Sequence, residues 1–455
     1  MQEDDHEQEK HHHDDHHDDD NDGSGVKVDA GEGRGMRDWK KTTFGKVAAG
    51  FLSGGTPSTA RADYWQGDIP WITSKWLGEK TELTNGEKFV SVEAVRKSST
   101  KIVPKDSIIF ATRVGVGKVG VNRIDLAINQ DLAGVLVDNE KYDIKFLAFQ
   151  LGLDSIQQYV AMNKRGATIK GITRDCLEGI RLNIPPLPEQ KKIAHILSTL
   201  KRAIEEQERI IQSATELKKA LMQKLFTEGL RNEPQKQTEI GLIPESWEVV
   251  GLGELLEITQ YGMSVKGNSE GNYPILRMTN QVDGQIVGRN LQFVEISHGE
   301  FEKFRVERGD ILFNRTNSLD LVGRTAIFDI ESEFVFASYL IRLRTDAKKL
   351  NPFFLNFYFN TDEIQVRLKS IATRAVSQSN ISASRLNGFP VPKPSLKEQD
   401  EIVAYAKSLD RKLALHRSKL EQFQDLFRTL LHELMTAKTR VHESELGKDS
   451  NHDAN

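Results

Sequence analysis

The stretch Pro185-Pro-Leu-Pro-Glu-Gln-Lys-Lys-Ile-Ala194 decides the fold of this chain, because it recurs. Pro185, Leu187, Glu189, Gln190 and Ile193 fall on Pro394, Leu396, Glu398, Gln399 and Ile402, an offset of 209 residues. Just upstream, Arg165-Gly-Ala-Thr-Ile-Lys-Gly-Ile-Thr173 lines up with Arg374-Ala-Val-Ser-Gln-Ser-Asn-Ile-Ser382. Working outward, Trp39 and Phe44-Gly45 correspond to Trp247 and Leu252-Gly253. Ile69-Pro-Trp-Ile72 resembles Tyr273-Pro-Ile-Leu276, and Ser107-Ile-Ile-Phe110 resembles Asp310-Ile-Leu-Phe313. Self-similarity of this kind, kept in order along the chain, means one structural unit duplicated.

Downstream of each Pro-rich break runs a helical pattern. In the second copy the ladder is Ile402, Ala406, Leu409, Leu413, His416, Leu420, Phe423, Phe427, Leu430 and Leu434; in the first it is Ile193, Leu197, Leu200, Ile204, Gln207, Ile211, Ala214, Lys218, Leu221 and Leu225. Alternating steps of four and three average 3.5 residues, the spacing of a coiled-coil seam. Neither ladder holds Pro or Gly, and Gly229 supplies a stop after the first. The obvious cover for one stripe is the other. A whole domain lies in the connection, so parallel and antiparallel packing are both sterically open; duplicated units related by a two-fold axis favour antiparallel. Gln207 and His416 are equivalent polar positions on the two stripes. They either set register or mark a gap in the seam.

Upstream of each break lie about 150 residues of short apolar runs, such as Ser107–Ala111, Gly134–Val137, Gly309–Phe313 and Tyr339–Leu343, cut by Gly-, Asn- and Asp-rich turns. This pattern predicts mixed domains dominated by short strands. The fold class expected is α+β: two tandem mixed α/β domains, each followed by a long helix, the helices pairing as an antiparallel coiled coil with pseudo-two-fold symmetry.

Composition narrows the function. The chain has 455 residues, too many for one core. No run of about 18 apolar residues is present to cross a membrane, and the acidic, His-rich start is unlike a secretory signal. One cysteine, Cys176, agrees with a reducing, cytoplasmic setting and reads as a small apolar residue. Residues 1–22 carry eleven Asp or Glu against Lys10, so the net charge of −4 becomes +6 once they are set aside. A mildly basic body suits a nucleic-acid binder and many other proteins besides. His6, His11, His12, His13, His16 and His17 are metal-binding in kind, but a polar low-complexity run fixes no coordination geometry, so a disordered tail is the reading adopted.

The repeat, the Pro185–Ala194 entry, its counterpart Ser395-Leu-Lys-Glu-Gln399 and the segment Thr238-Glu-Ile-Gly-Leu-Ile-Pro-Glu-Ser-Trp247 together carry a resemblance. Over about residues 37–438 the chain resembles the specificity subunit of Type I restriction-modification systems. It departs from that pattern at residues 1–36 and in lacking a first-half counterpart of Thr238–Pro244. The resemblance implies two target recognition domains, each reading one half of a split, asymmetric DNA sequence, with paired helices that set the half-site spacing and dock two modification subunits. It also implies that S-adenosylmethionine and adenine methylation belong to those partners, and that ATP and Mg belong to partners including two motor-nuclease subunits. Ala214-Thr-Glu-Leu217 is similar to a four-residue unit whose copy number sets the spacer in some members. The boundaries expected are a tail and linker at 1–36, a first recognition domain at 37–188, a first spacer helix at 189–229, a linker at 230–246, a second domain at 247–396, a second spacer helix at 397–438 and a tail at 439–455.

Base readout needs Arg for guanine and Asn or Gln for adenine, whereas phosphate contacts need only donors or cations. In the first domain the loop Thr112-Arg-Val-Gly-Val-Gly-Lys118 follows an apparent core strand, giving Thr112, Arg113 and Lys118 as candidates. The second offers Asn314, Arg315 and Asn317 at the equivalent place. A second set is Arg165, Thr168 and Lys170, with Arg374, Ser377, Gln378 and Asn380. Each taken singly is as well explained as a solvated surface residue. Trp71 and Trp76 could stack on bases, but core packing explains them better. Catalytic readings fail. Asn183-Ile-Pro-Pro-Leu187 breaks the spacing of the adenine-methyltransferase Asn-Pro-Pro-aromatic motif. Glu189-Gln-Lys191 and Glu216-Leu-Lys218 fall on the first helix, where charges are solvated, and no phosphate-binding Gly-x4-Gly-Lys-Ser/Thr run exists. The expectation is a DNA-binding subunit with no catalytic, cofactor or metal site of its own; the alternative is a coiled-coil scaffold without DNA readout.

Overall fold

The computed structural model describes residues 38–78, 82–166, 170–374 and 378–441. The acidic segment 1–36, Thr168, Ser377 and the C-terminal residues from 442 lie outside them. Two compact units divide the chain: one runs to Ser198 and resumes at Arg428, the other spans Thr199–Phe427. Among the described residues no helix is long and apolar enough to cross a membrane, and no group of three or more His, Cys, Asp or Glu is placed to hold a metal ion.

In the first unit the central strand is Ile108–Ala111, buried at every position, as its unbroken Ile-Ile-Phe-Ala run requires. It pairs antiparallel with Leu132–Val137 and with Val119–Asn122; Ala48–Ser53 and Glu82–Leu83 complete a five-stranded sheet. A second sheet orders Lys88–Val90, Ile69–Ile72, Leu126–Ile128 and Lys101–Val103. Trp71 lies in it, 3% exposed, with its indole N–H donated to Gly55 O at 3.3 Å; Trp76 sits in a turn and is 38% exposed. Helix Ile144–Leu151 starts where the Asp143 carboxylate accepts from Phe146 N–H, satisfying an otherwise orphan donor. Lys40–Thr43 pairs antiparallel with Arg181–Ile184, so the unit's first and last strands meet just before the proline break.

The second unit repeats this plan. Ile311–Asn314, again buried throughout, pairs with Leu340–Thr345 and Thr325–Ile327, flanked by Leu256–Tyr261, Gln285–Ile286 and Gln281–Val282. Glu248–Gly251 pairs with Pro390–Lys393 as the closing ribbon. The repeat extends to single hydrogen bonds. Gln157 Nε2 donates to Gly117 O at 2.9 Å and to Leu151 O at 2.7 Å. Gln365 Nε2 donates to Gly323 O and Phe359 O at the same two distances.

The long helices are Leu187–Glu228 and Leu396–Met435. Every position of both ladders is buried or half-buried. Within the second unit Gln207 bonds His416 Nδ1 at 2.8 Å, and Lys218 is ion-paired with Asp410. As one number rises the other falls, so the helices run antiparallel. Gln207 and His416 are also equivalent residues of the repeat, which can meet only where a local two-fold axis crosses the seam. The pair is half-buried and hydrogen-bonded, a satisfied polar contact within the seam.

Candidate nucleic-acid interface

In the first unit the buried strand Ile108–Ala111 delivers the chain into the turn Thr112–Lys118. The turn closes through Gly117 N–H on Ala111 O at 3.0 Å and Lys118 N–H on Gly115 O at 3.1 Å. Gly117 has φ +98 and lies against Gln157, whose Oε1 a Cβ would meet at 2.3 Å. The left-handed dihedral therefore requires glycine, and a Cβ would also push the Gln157 amide off its hydrogen bond to Gly117 O. Arg113 is exposed. Lys118 is exposed as well, but its ammonium donates to Leu77 O at 2.9 Å, so it braces the turn.

The second candidate segment comes to the same place. Arg165 and Gly171 exchange backbone hydrogen bonds of 2.7 and 2.9 Å, and Ile172 N–H donates to Thr112 O at 2.9 Å. A Cβ on Gly171 would fall 2.7 Å from Thr112 O, so only glycine lets the arm lie on the turn. Thr112 and Arg113 are thus brought together with exposed Arg165 and Lys170. Two stretches more than 50 residues apart in sequence, Thr112 and Arg165 being 53 apart, make one surface.

The second unit joins its segments through a small sheet: Thr316–Asn317 pairs with Ser379–Asn380, which pairs with Thr373–Arg374. Asn380 Nδ2 donates to Thr316 Oγ1 at 2.7 Å, and Ile381 N–H donates to Arg315 O at 2.9 Å. Arg315 is half-buried; its guanidinium lies 4.5 Å from the Tyr261 ring centroid and reaches Ser338 O at 3.3 Å and Asn380 Oδ1 at 3.4 Å. A cation held over a ring and between two acceptors keeps few rotamers, a useful state for a group that must meet a ligand in one orientation. Asn317 directs its amide at Met278 Sδ, 2.9 Å away, and Gln378 is exposed. Asn314 is the exception among the candidates: at 2% exposure, with its backbone bonded to Gly323 and Arg324, it ends the core strand and offers no surface to a ligand. The strand runs one residue further than the sequence pattern implies.

Three residues here escape the sequence reading. Tyr261 stacks on Arg315 and accepts Ala383 N–H at its hydroxyl, 2.9 Å away. Arg385 donates to Ile371 O and to Thr373 Oγ1, each at 2.9 Å, fixing the return of the arm. Gly171 permits the arm-to-turn contact in the first unit. All act over long sequence separations or through space, and although Gly171 falls within the repeated Arg165–Thr173 stretch, nothing local marks the contact it permits.

With this geometry in place, known proteins supply the frame. The family model for the Type I restriction modification DNA specificity domain matches twice, over residues 36–215 and 244–424. The Type I restriction enzyme MjaVIII specificity subunit of Methanocaldococcus jannaschii is 25% identical over 416 residues, covering 89% of this chain and 93% of that one. The putative type I restriction enzyme MjaX specificity subunit of the same organism is 32% identical over 217 residues, 47% of this chain, and there the match spans about half, 51%, of the relative's length. Among solved structures, the Type-I restriction-modification system S subunit from M. genitalium aligns with a TM-score of 0.58 at 17% identity, covering 87% of this chain and 96% of that one, a likeness of fold. The chain belongs to the specificity-subunit family of Type I restriction-modification systems, the non-catalytic component that recognises DNA sequence.

Proposed function

We propose that each unit reads one half of a split, asymmetric DNA target, and that the paired helices hold the two readings at a fixed spacing. The observation that carries this is the convergence, in each unit, of the post-strand turn and the pre-helix arm on one surface: Thr112 O with Ile172 N–H in the first, Thr316–Asn317 with Ser379–Asn380 in the second. Of the candidate contacts, Arg113, Arg165 and Lys170 serve the first half-site, and Arg315, Asn317, Gln378 and Asn380 the second. Thr112 and Lys118 shape the first turn; Thr168, Arg374 and Ser377 belong to the same proposed set of contacts. On this reading the chain directs two modification subunits, which bring S-adenosylmethionine and methylate adenine. Two motor-nuclease subunits, which bring ATP and Mg, add cleavage, and the assembly works in the cytoplasm.

The test is a methylome. The chain is expressed with the modification subunit from its own locus in a host lacking adenine methylation, and modified adenines are mapped by long-read sequencing. The expected result is one split motif that vanishes when this chain is omitted. Methylation indifferent to the chain, with association of the subunits confirmed, would leave the scaffold reading in its place.

A further inference from the structure

The same three backbone hydrogen bonds pin the same corner of both units. Leu276 O accepts from Ala337 N–H at 2.9 Å, and Ile72 O from Asn129 N–H at 3.1 Å. Phe336 O accepts from Met263 N–H at 2.8 Å, and Ile128 O from Gly55 N–H at 3.0 Å. Ala337 O accepts from Leu340 N–H at 2.9 Å, and Asn129 O from Leu132 N–H at 3.3 Å. Gly262 and Gly54 occupy matching tight places, where a Cβ would lie 2.3 Å from Ala337 O or 2.2 Å from Ile128 O. These bonds fix a residue correspondence from geometry alone: Arg277 with Thr73, Ser338 with Gln130, Tyr339 with Asp131.

The backbones match at this corner and the side chains do not. In the second unit the corner opens into a recess of about 530 Å³, with Lys266, Arg277, Thr279 and Tyr339 in its wall. Arg277 Nη2 donates to Asn290 O at 3.0 Å, while its Nε is buried without a hydrogen-bond partner. Lys266 is exposed, and Tyr339 is 48% exposed. In the first unit Thr73 donates its hydroxyl to Glu87 Oε2 at 2.6 Å. Gln130 is exposed and accepts from Thr56 Oγ1 at 2.6 Å, and the Asp131 carboxylate accepts from Asn129 Nδ2 at 2.9 Å. One copy presents cations and a phenol, the other carboxylates and an amide.

The corner also abuts the candidate interface in each unit. Arg315 donates its backbone N–H to Tyr339 O at 3.0 Å, and Thr112 donates its own to Asp131 O at 2.8 Å. Core packing does not account for the exposed Lys266, Tyr339 and Gln130, and a general phosphate site would call for cations in both copies. A guanidinium suits the acceptor edge of guanine, an amide suits adenine, and a carboxylate accepts from the amino group of cytosine. We propose, resting on the DNA-reading function above, that this corner determines specificity in both units: Lys266, Arg277 and Tyr339 for the second half-site, Gln130 and Asp131 for the first.

The experiment maps methylated motifs for the assembled complex carrying Lys266→Ala with Tyr339→Ala, Arg277→Gln, or Gln130→Ala. The Lys266/Tyr339 double variant should relax the second half-site at one or more base positions, with discrimination there falling about tenfold and the first half-site unchanged. Arg277→Gln should do the same, and Gln130→Ala should relax only the first half-site. Arg277 also braces Asn290 O, so its variant could misfold; the exposed Lys266 and Tyr339 keep the test independent of that. Second half-sites unmoved in the double variant would overturn the proposal, as would weaker binding with both half-sites intact, the mark of a phosphate contact. A split motif in the unaltered complex with unmoved variants counts against this corner alone. No chain-dependent motif in the unaltered complex overturns the DNA-reading function as well.

Discussion

Gln399 is fully buried, and its amide is satisfied three ways: Oε1 accepts from Asn351 N–H at 2.7 Å, and Nε2 donates to Pro394 O at 3.0 Å and Lys349 O at 3.1 Å. It therefore ties the start of the second long helix to the cap of helix Pro352–Phe359. Gln190 does the same in the first unit, accepting from Asp143 N–H at 2.9 Å and donating to Pro185 O at 2.8 Å. Removing the amide strands a buried N–H and two carbonyls, and each unpaired buried group costs about 1–3 kcal/mol. Gln399→Ala should therefore destabilise the second unit by about 3 kcal/mol or more in a denaturant titration, with the first unit's transition unmoved. A change under about 0.5 kcal/mol would show that the network carries no stability. The Glu-Gln pair is visible in the sequence as a repeated motif, yet its partners, 48 residues away in Asn351 and 47 in Asp143, are not. Asn314 shows the complementary limit. A polar residue after Ile-Leu-Phe reads equally well as the end of a strand or the start of a loop, and a shift of one residue decides whether it faces core or ligand.

At the scale of elements the seam is the most legible part of the fold, because coiled-coil packing obeys a local period that the sequence must carry. Burial of both ladders along their full lengths follows from that period alone. The short strands are less legible: their pairings cross tens of residues, and apolar runs of four do not say which neighbour they join. Within the seam, Gln207 and His416 satisfy each other where apolar residues would pack. Replacing both by Leu should raise the melting temperature, by a stabilisation of about 1–2 kcal/mol, while widening the range of registers the helices adopt. A lower melting temperature would mean that this hydrogen bond exceeds what apolar packing offers there. Ala214-Thr-Glu-Leu217 tests the same element in length. Ala214 is half-buried in the seam and the other three are exposed. Deleting all four collapses the three-four pair of steps from Ile211 through Ala214 to Lys218 into a single three, a discontinuity coiled coils absorb by local overwinding. The helix shortens by about 6 Å. The mapped motif should then keep both half-sites and lose spacer length; altered half-sites would contradict a ruler role for the helix.

At the scale of the whole molecule the duplication extends past the helices. Arg231, which follows the first helix, approaches Glu398 at the start of the second at 3.9 Å; Arg440, which follows the second, pairs with Glu189 at the start of the first at 2.9 Å. Both arginines and both glutamates are separated by the repeat offset of 209 residues, so each unit is closed by an equivalent contact. Each unit also holds its own core and its own convergence of turn and arm, so a change confined to one surface is expected to leave the reading made by the other intact. That independence has a direct consequence. Replacing residues 374–380 by Ala removes Gln378, the Asn380 amide bonded to Thr316 and an acceptor of Arg315, while Arg113, Arg165 and Lys170 keep their surroundings. In the methylome of the assembled complex, the second half-site should lose its preference and the first should keep every base. Equal loss at both would mean that the units read DNA as one body, and the duplicated surfaces would then need a different explanation from the modular one their geometry supports.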